Sequence, residues 1–287
     1  EIVNSDWSSD VCSSDLLRTL SQRTVPLAAN SLRAALGKNV PVVQQVASVV
    51  YTKEQRPVPA DYKIPDYMEK IYTWCYVKPK NVKMLDRQLV VQAILFGYFQ
   101  PLANMVCSEL KPGQKLLQCG STYGKLVATV SKTLGPEGTY NCCDIMPIQV
   151  ASCNRKMSQY PCHGGCILED AATHHPEEDK QYDAALSFLL LHEVPDDTKV
   201  KVINRIMMSV PVGGKAIFIE YHKPAWYSPW RYMMPIVYWL LEPLAFTVWN
   251  HQITELGDPE LVKKFKWRKE LRFMGLYQKL VGVRVED

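Results

Sequence analysis

Between residues 115 and 221, short apolar runs alternate with longer segments in which apolar residues recur every three to four positions. The short runs predict buried β-strands, and the longer segments predict amphipathic helices. Such alternation predicts an α/β fold, with helices on both faces of a mainly parallel sheet. The predicted elements are strand 115–119, helix 125–134, strand 139–143, helix 147–159, strand 166–169, strand 183–189, helix 197–210 and strand 215–221.

Two helical segments flank this region. Helical periodicity from residue 66 to residue 110, interrupted at Pro79 and Pro101, predicts an N-terminal helical cap. Residues 225–256 are rich in Trp, Tyr and Met but are broken by prolines and charges, so we expect an apolar helical lid and not a membrane-spanning helix. The lid could contact a membrane surface, pack over an active site, or do both.

A final β-rich run, residues 276–285, predicts one strand of a closing antiparallel pair. We therefore expect a Rossmann-like, mainly parallel, seven-stranded sheet.

The first 55 residues differ in composition from the rest. Residues 6–16 resemble the translation of a sequencing-library adaptor, so we exclude residues 1–16 as an artefact. Residues 17–53 contain no acidic side chain, and their basic residues are spaced among Leu, Ala, Ser and Val, which is typical of a mitochondrial presequence. A disordered basic tail is the alternative. We expect a presequence and linker over residues 17–55 and one folded domain over residues 56–287.

The charge balance points away from nucleic acid. The chain has 33 Lys and Arg and 29 Asp and Glu, and removing residues 1–52 leaves 33 − 4 = 29 basic and 29 − 4 = 25 acidic side chains. No basic stripe interleaved with aromatic residues is present, so we predict no nucleic-acid partner. A hydrophobic content of 47% supplies the core of a single domain.

A turn of small residues, Gln118 to Lys125, follows the first predicted strand. Small residues let a ligand approach the backbone. About twenty residues later Asp144 ends the next strand, where nucleotide-binding α/β folds place a carboxylate on the ribose hydroxyls. Dinucleotide-binding proteins have a tight glycine-rich turn at this place, whereas Thr122 and Tyr123 occupy the middle of the turn here. The looser turn favours a nucleoside ligand without phosphate. S-adenosylmethionine (SAM) is such a ligand.

The ends of several predicted strands should form one crevice, because ligands of parallel sheets sit outside the carboxyl ends of the strands. We expect Asp144 to bind the ribose, Asp170 to lie beside the adenine, and Gly120 and Gly124 to cradle the ligand. The full set of residues predicted to bind SAM is Gln118, Gly120, Ser121, Gly124, Asp144, Ile145, Asp170, Ala171 and Leu190.

Two side chains are candidates for catalysis. Tyr123 projects from the turn nearest the amino-acid end of SAM, with packing under the lid as its alternative role. His192 stands at a strand end, where an unperturbed imidazole could act as a general base or donate to a quinone oxygen; capping is its alternative role. Glu193 is a weak candidate metal ligand, and Glu220 and His222 are weaker ones.

Several segments resemble known enzymes. Residues 182–196, followed by a helix and residues 212–215, are similar to the class I SAM-dependent methyltransferase pattern around strands four and five. A closer resemblance, over roughly residues 66–283, is to the rhodoquinone-biosynthesis methyltransferase-like family. It rests on the segments 123–124, 144–149, 188–193, 220–224 and 275–279 and on Tyr67, Trp74, Tyr76 and Pro79 in the cap.

This resemblance implies an unusual reaction. Members of that family bind SAM but convert ubiquinone to rhodoquinone, replacing a ring methoxy group by an amino group taken from SAM. The resemblance also implies a divalent metal, with Mn²⁺ as the candidate. The implied location is the matrix side of the mitochondrial inner membrane, in peripheral contact with the bilayer that holds the quinone.

Two positions depart from expected patterns. Gln118 stands where methyltransferases commonly carry an acidic residue near the amino-acid part of SAM, and a neutral partner there would lower the penalty for deprotonating the SAM amine, which must act as a nucleophile in amino transfer. Lys125 stands where we expect the family to carry an acidic residue. If that acidic residue binds metal or orients SAM, either Asp144 and Asp170 perform this role here, or the site of this lineage is altered. The alternative is that Lys125 is only a solvent-exposed residue in the first turn of the helix.

Two other functions remain open. A SAM-dependent methyltransferase acting on a quinol or lipid ring would release S-adenosylhomocysteine and leave the methoxy group in place. A catalytically silent SAM-binding assembly factor is the third hypothesis, and it predicts that Tyr123→Phe and Asp144→Ala leave function intact.

Overall fold

The structure is a computed structural model that describes residues 50–54 and 56–287. The predicted adaptor residues 1–16 and the predicted presequence up to residue 49 lie outside the described residues.

A seven-stranded sheet forms the centre of the domain, in the order β3-β2-β1-β4-β5-β7-β6. Strands β1 to β5 are parallel neighbours, and β7 runs antiparallel between β5 and β6. The predicted α/β fold is confirmed. The strands are β1 Lys115–Cys119, β2 Thr139–Asp144, β3 His163–Leu168, β4 Ala184–Phe188, β5 Lys215–Tyr221, β6 Phe265–Arg272 and β7 Tyr277–Arg284.

The α-helices of the described residues lie before, between and after these strands. Between residues 115 and 221 the predicted helices and strands are confirmed to within three residues at each end. The α-helices are α1 Asp66–Lys70, α2 Pro79–Leu85, α3 Gln88–Ile94, α4 Phe99–Cys107, α5 Leu126–Leu134, α6 Pro147–Met157, α7 Asp196–Met208, α8 Trp230–Leu241, α9 Phe246–Asn250, α10 Ile253–Leu256 and α11 Pro259–Lys263.

The sheet buries apolar side chains on both faces. On one face α4, α5 and α6 cover the sheet, and their side chains form one hydrophobic cluster with β1, β2 and β4. On the other face α7 packs with α10 and α11. Because both faces are covered, the central strands β1 and β4 are buried along almost their whole length and do not alternate between buried and exposed residues.

Strand β6 was not located from the sequence. It reads Phe-Lys-Trp-Arg-Lys-Glu-Leu-Arg and is mostly exposed. Charged residues are typical of edge strands, where they discourage pairing with another chain. Because charged residues occupy most positions of β6, its sequence lacks the apolar run from which a strand is predicted.

The cap consists of α1 to α4 and a single π-helical turn, Thr73–Val77. The prediction that Pro101 interrupts a helix was wrong, because Pro101 lies in the first turn of α4, where proline loses no intrahelical hydrogen bond. The break lies instead at Phe96 and Gly97, whose φ angles are 51° and 80°.

The lid contains α8, a 3₁₀ turn at Pro243–Ala245 and α9. Helix α8 continues through Pro235 and buries Met234 and Tyr238. Among the described residues no single helix is long and apolar enough to cross a membrane; α3 and α4 would pass that test only as a pair, and they are bent by 97°.

Residues just before the predicted domain start contact the sheet. The Tyr51 hydroxyl donates to Glu178, and Lys53 Nζ donates to the Tyr160 carbonyl at 2.9 Å. A Cβ added at Gly165 on β3 would meet the backbone of Thr52. This short segment therefore packs closely against the edge of the sheet.

Candidate active site

Two adjoining cavities open at the carboxyl ends of β1, β2 and β4. The first encloses about 440 Å³ of space and the second about 700 Å³, in both cases including space that is open to solvent. The two cavities share Tyr76, Ser121, Leu190 and Glu193. A ligand in one would therefore lie beside a ligand in the other.

The first cavity collects most residues that we predicted to bind SAM. Its remaining lining comes from the cap and from the turns after β2 and β4. Seven of the predicted residues lie in its wall: Gly120, Ser121, Asp144, Ile145, Asp170, Ala171 and Leu190.

Asp144 links the turns that follow β1 and β2. Its Oδ2 accepts hydrogen bonds from the Ser121 backbone N–H at 2.9 Å and the Ser121 hydroxyl at 2.8 Å, and its Oδ1 accepts from the Met146 N–H at 2.8 Å. Burial raises the pKa of Asp144 to about 6, although these hydrogen bonds favour the charged form. At neutral pH a carboxylate therefore faces the cavity, able to accept from hydroxyl groups such as those of a ribose.

Gly120 places backbone without a side chain in the wall of the first cavity. Its φ of 76° favours glycine, and a Cβ there would lie 2.8 Å from Leu190 Cδ1. A side chain at position 120 would therefore displace Leu190, which lines both cavities.

Gln118 and Gly124 line neither cavity, and their contacts with SAM stay predictions. The Gln118 side chain is fully buried, and its Nε2 donates to the Gly120 carbonyl at 2.7 Å while its Oε1 accepts from the Tyr140 hydroxyl. The Gly124 N–H donates to Asp86 Oδ1 at 2.9 Å, and its Cα faces the cap. Both residues shape the β1 turn from behind.

Arg205 supports the turn that holds Asp170, and sequence reasoning missed it. This fully buried residue of α7 forms ion pairs with Glu169 at 2.9 Å and Glu178 at 2.8 Å. Its Nη1 donates to the carbonyls of Asp170 and Ala171 at 3.4 Å. In the sequence Arg205 is one basic residue of an amphipathic helix, and no local signal marks it as buried.

The second cavity has an apolar wall and a polar end. Tyr123, Tyr221 and the acidic side chains described below form the polar end. The apolar wall comes from α3, α4 and the end of β4, with side chains Val91, Ile94, Leu95, Phe99, Phe188 and Leu189. This arrangement suits a substrate with a polar ring and an apolar remainder.

His192 is buried at the polar end. Its Nδ1 lies 2.8 Å from Glu220 Oε1, and its ring packs edge-on against Tyr221. Burial by itself would lower the pKa of His192, but the charge and hydrogen bond of Glu220, together with Glu193, raise it to about 9. The expectation of an unperturbed imidazole was therefore wrong, since in the metal-free fold His192 is an imidazolium at neutral pH.

Two more carboxyl groups face His192. Glu193 accepts a hydrogen bond from the Tyr76 hydroxyl at 2.7 Å, and burial raises the pKa of Glu193 to about 8. Glu242, from the end of α8, lines the same cavity, and burial raises its pKa as well. Its Oε2 is buried with no hydrogen-bond partner among the described residues.

His192, Glu193 and Glu242 each offer one ligand atom, and these atoms lie within 4.8 Å of one another. One imidazole nitrogen and two carboxylate oxygens are a donor set that suits Mn²⁺, Fe²⁺ or Zn²⁺. The two weaker candidates are not part of this group: Glu220 contacts it only through its hydrogen bond with His192, and His222 Nδ1 lies 3.0 Å from the Gly275 carbonyl. Sequence reasoning missed Glu242, although it is the one acidic residue between positions 223 and 254.

Tyr123 lies in the wall of the second cavity with its hydroxyl already engaged. The hydroxyl donates to the Cys75 carbonyl at 2.5 Å, and the ring stacks on Tyr76 with centroids 5.5 Å apart. Burial raises the pKa of Tyr123, so it stays protonated. Lys125 is exposed and lines neither cavity, which agrees with the solvated alternative.

We expect the stability of the metal-free protein to fall as the pH rises from 6.5 to about 9. The pKa of His192 is raised from 6.5 to about 9, and that of Glu193 from 4.5 to about 8. The folded state therefore holds more protons than the unfolded state in this range, and each group contributes at most about 1.4 kcal/mol per pH unit. Urea unfolding with a chelator present measures the slope. The double variant H192N/E193Q should have a flatter profile, and a wild-type profile that rises over this range would contradict the burial of these groups.

Comparisons with known proteins agree with this geometry. Residues 116–214 match a family model described as a methyltransferase domain. The match covers about a third of the chain, and the fold is that of the class I SAM-dependent methyltransferases. The class uses SAM, which supports SAM as the ligand of the first cavity. No curated protein sequence matches the chain.

Three solved structures show the same fold at low identity. An O-methyltransferase family protein from Burkholderia thailandensis is 16% identical with a TM-score of 0.51, and the match covers 76% of this chain and 65% of that one. LaPhzM is 16% identical with a TM-score of 0.52, and the match covers 73% of this chain and 60% of LaPhzM. The CurJ carbon methyltransferase is 13% identical with a TM-score of 0.50, and the match covers 77% of this chain and 62% of the CurJ chain. At these identities the likeness concerns the fold alone.

Proposed function

We propose that the protein converts ubiquinone to rhodoquinone, with SAM as the nitrogen donor. In this reaction a bond forms between the SAM amine nitrogen and the ring carbon that carries a methoxy group. The bond from that carbon to the methoxy oxygen breaks, and methanol leaves. The bond between the nitrogen and the SAM α-carbon then breaks by elimination: the SAM β-carbon loses a proton, a double bond forms between the α- and β-carbons, and the nitrogen keeps the bonding pair and takes up a proton. The amino group stays on the ring, and the unsaturated remainder of SAM leaves.

The observation that carries the proposal is the position of the cluster formed by the buried His192 and the partly buried Glu193 and Glu242. It lies at the polar end of the second cavity, and Glu193 also lines the first. A quinone ring at this end would face the SAM amine across the shared wall, with acid–base groups on one side and apolar side chains on the other. In the metal-free site a proton held by His192 or Glu193 can pass to the departing methoxide, whereas a bound metal would replace that proton. The resemblance of residues 66–283 to the rhodoquinone family supports the same reaction.

The cluster also fits the divalent metal that the resemblance implies. His192, Glu193 and Glu242 would hold Mn²⁺, and the unpartnered Oε2 of Glu242 would gain a partner. A bound Mn²⁺ would polarise a quinone carbonyl oxygen. Glu242→Gln, compared with the distant Glu260→Gln, should reduce Mn²⁺ binding as measured by electron paramagnetic resonance.

The decisive experiment tests whether the amino nitrogen of SAM is transferred to the quinone ring. The full chain is incubated with ubiquinone, Mn²⁺ and SAM carrying nitrogen-15 at its amino group, and the quinones are analysed by mass spectrometry. We expect labelled aminoquinone. If the protein binds SAM but no nitrogen moves, the proposal is wrong.

A second candidate is methyl transfer to a hydroxyl of a quinol or lipid ring, and the match of residues 116–214 to a methyltransferase domain favours it. SAM with a labelled methyl group distinguishes it, since label would appear in the ring product. If neither label moves and SAM binds, the silent SAM-binding protein remains. We further propose a mitochondrial location on the matrix side, on the basis of the acid-free, basic composition of residues 17–53.

A further inference from the structure

Helix α8 is apolar on its outer side as well as on its inner side. Its inner residues, among them Met234 and Tyr238, are buried, and Tyr238 packs edge-on against Tyr221 of the second cavity with centroids 5.7 Å apart. Its outer residues recur at helical spacing and belong to no hydrophobic cluster of the described residues. A helix that is hydrophobic all round normally requires cover on all sides.

The exposed side chains of α8 and of the loop before it form what we call the lid surface. The Tyr232 hydroxyl donates to the Trp226 carbonyl at 2.8 Å, which joins the loop to the helix. Each of these side chains is between 61% and 75% exposed: Trp226, Tyr227, Tyr232, Ile236, Trp239 and Leu240. Tryptophan and tyrosine beside aliphatic residues are the composition that proteins place at the boundary between water and lipid.

The charge around the lid surface favours a phospholipid partner. Between residues 223 and 254 the charged side chains are Lys223, Arg231 and Glu242, and Glu242 lines the second cavity. The only acidic group of this segment thus faces the cavity, while the two basic groups accompany the exposed aromatic residues. Basic and aromatic side chains together favour the surface of an anionic bilayer.

Neighbouring side chains connect the mouth of the second cavity to α8, the helix that carries most of the lid surface. Ile94, at the end of α3, lines the cavity and is 47% exposed. Next to it Phe96 packs against Trp230, the first residue of α8, with ring centroids 4.7 Å apart. The cavity and the lid surface lie on opposite sides of one helix, whose diameter is about 10 Å. An apolar tail could therefore remain in lipid while the ring it carries occupies the cavity.

We propose that the lid surface docks on an anionic phospholipid bilayer and that a ring-bearing lipid enters the second cavity between α3 and α8. The lipid part of this statement rests on the proposed function, and the docking part does not. Residues of α3 and the Phe96 turn, which the sequence analysis assigned only to a helical cap, thereby belong to the entrance.

Sedimentation with vesicles tests the docking. The full chain is mixed with vesicles of phosphatidylcholine and cardiolipin, and the bound fraction is compared between wild type and the W226S/W239S variant. We expect the variant to bind about tenfold or more weakly, because it loses two large interfacial side chains. The matched control is V212S/V285S, which removes two exposed apolar residues from the opposite end of the sheet and should bind as the wild type does.

Three outcomes would overturn the docking. The first is a wild type that does not bind the vesicles, and the second is a W226S/W239S variant that binds as tightly as the control, which would assign binding to another segment. A wild-type dimer that W226S/W239S converts to a monomer would show that a second chain covers the surface.

Activity separates this inference from the proposed function. W226S/W239S should retain turnover of a water-soluble quinone with a short tail and lose turnover of long-tailed quinone in vesicles. If the variant loses turnover of both quinones while it still binds SAM, the lid surface does not act through docking alone, which would contradict the proposal. If wild type binds vesicles but transfers no nitrogen to either quinone, the proposed function fails and docking stands.

Discussion

Replacing Asp144 with alanine is expected to weaken SAM binding on the order of a hundredfold. The carboxylate lies in the wall of the first cavity, where it can accept hydrogen bonds from ribose hydroxyls, and each such charge-assisted bond contributes about 1.5–3 kcal/mol. The same carboxylate joins the β1 and β2 turns through Ser121 and Met146, so its loss also loosens the cavity. Isothermal titration calorimetry at pH 7.5 measures the change directly.

Asp183→Ala is the matched control for this prediction. Asp183 Oδ2 accepts a hydrogen bond from the Lys115 backbone N–H at 2.7 Å, at the opposite edge of the sheet. The control therefore removes a comparable carboxylate-to-backbone bond without touching the cavity, and SAM affinity should stay within about twofold. Equal losses in both variants would indicate general loosening of the sheet, and unchanged affinity in Asp144→Ala would remove Asp144 from the binding site. Loss of binding without any loss of biological function would favour the silent assembly factor.

Replacing His192 with glutamine is expected to reduce turnover by about 10²- to 10⁴-fold while SAM affinity stays nearly unchanged. That range is typical for the loss of a positioned acid or base. His192 lines the second cavity and is absent from the wall of the first, so binding and chemistry should separate. Single-turnover transfer of the labelled group from SAM, together with calorimetry, measures both quantities.

His222→Gln makes the same change in side chain outside both cavities. His222 is half-buried at the end of β5, and its ring contacts the Gly275 carbonyl. It should retain turnover within about threefold of wild type. If His192→Gln behaves in the same way, His192 has only a packing role. Because His192→Gln leaves Glu220 without its partner, thermal unfolding of both variants must first show a folded protein.

The local sequence pattern was sufficient to predict where the strand ends that line the first cavity come together. The strand ends at Gly120, Asp144 and Asp170 could be placed in one crevice, since parallel strands bring their carboxyl ends to the same edge of a sheet. These residues do line one cavity. The spacing of glycine and aspartate around two consecutive strands is short-range information, and the sequence contains it in full.

The direction of individual side chains could not be predicted in the same way. Strand β1 is buried on both faces, so its apolar pattern does not show which face Gln118 points to. The structure directs that side chain to Tyr140 and the Gly120 carbonyl, behind the turn. The surroundings of Gly124 could not be predicted for a related reason: its neighbour Asp86 comes from the cap, nearly forty residues earlier in the chain.

The sequence by itself determined the fold, the edge of the sheet at which the first cavity opens and the apolar character of the lid, because each of these follows from residues close together in the chain. Only the tertiary structure decided the chemistry of the second cavity. Its polar end combines Tyr76 of the cap, His192 after β4 and Glu242 of the lid. Their shared burial shifts the pKa values of His192 and Glu193, since the cost of a charge depends on every neighbour that excludes water from it. Those neighbours are distant in sequence, and folding alone brings them together.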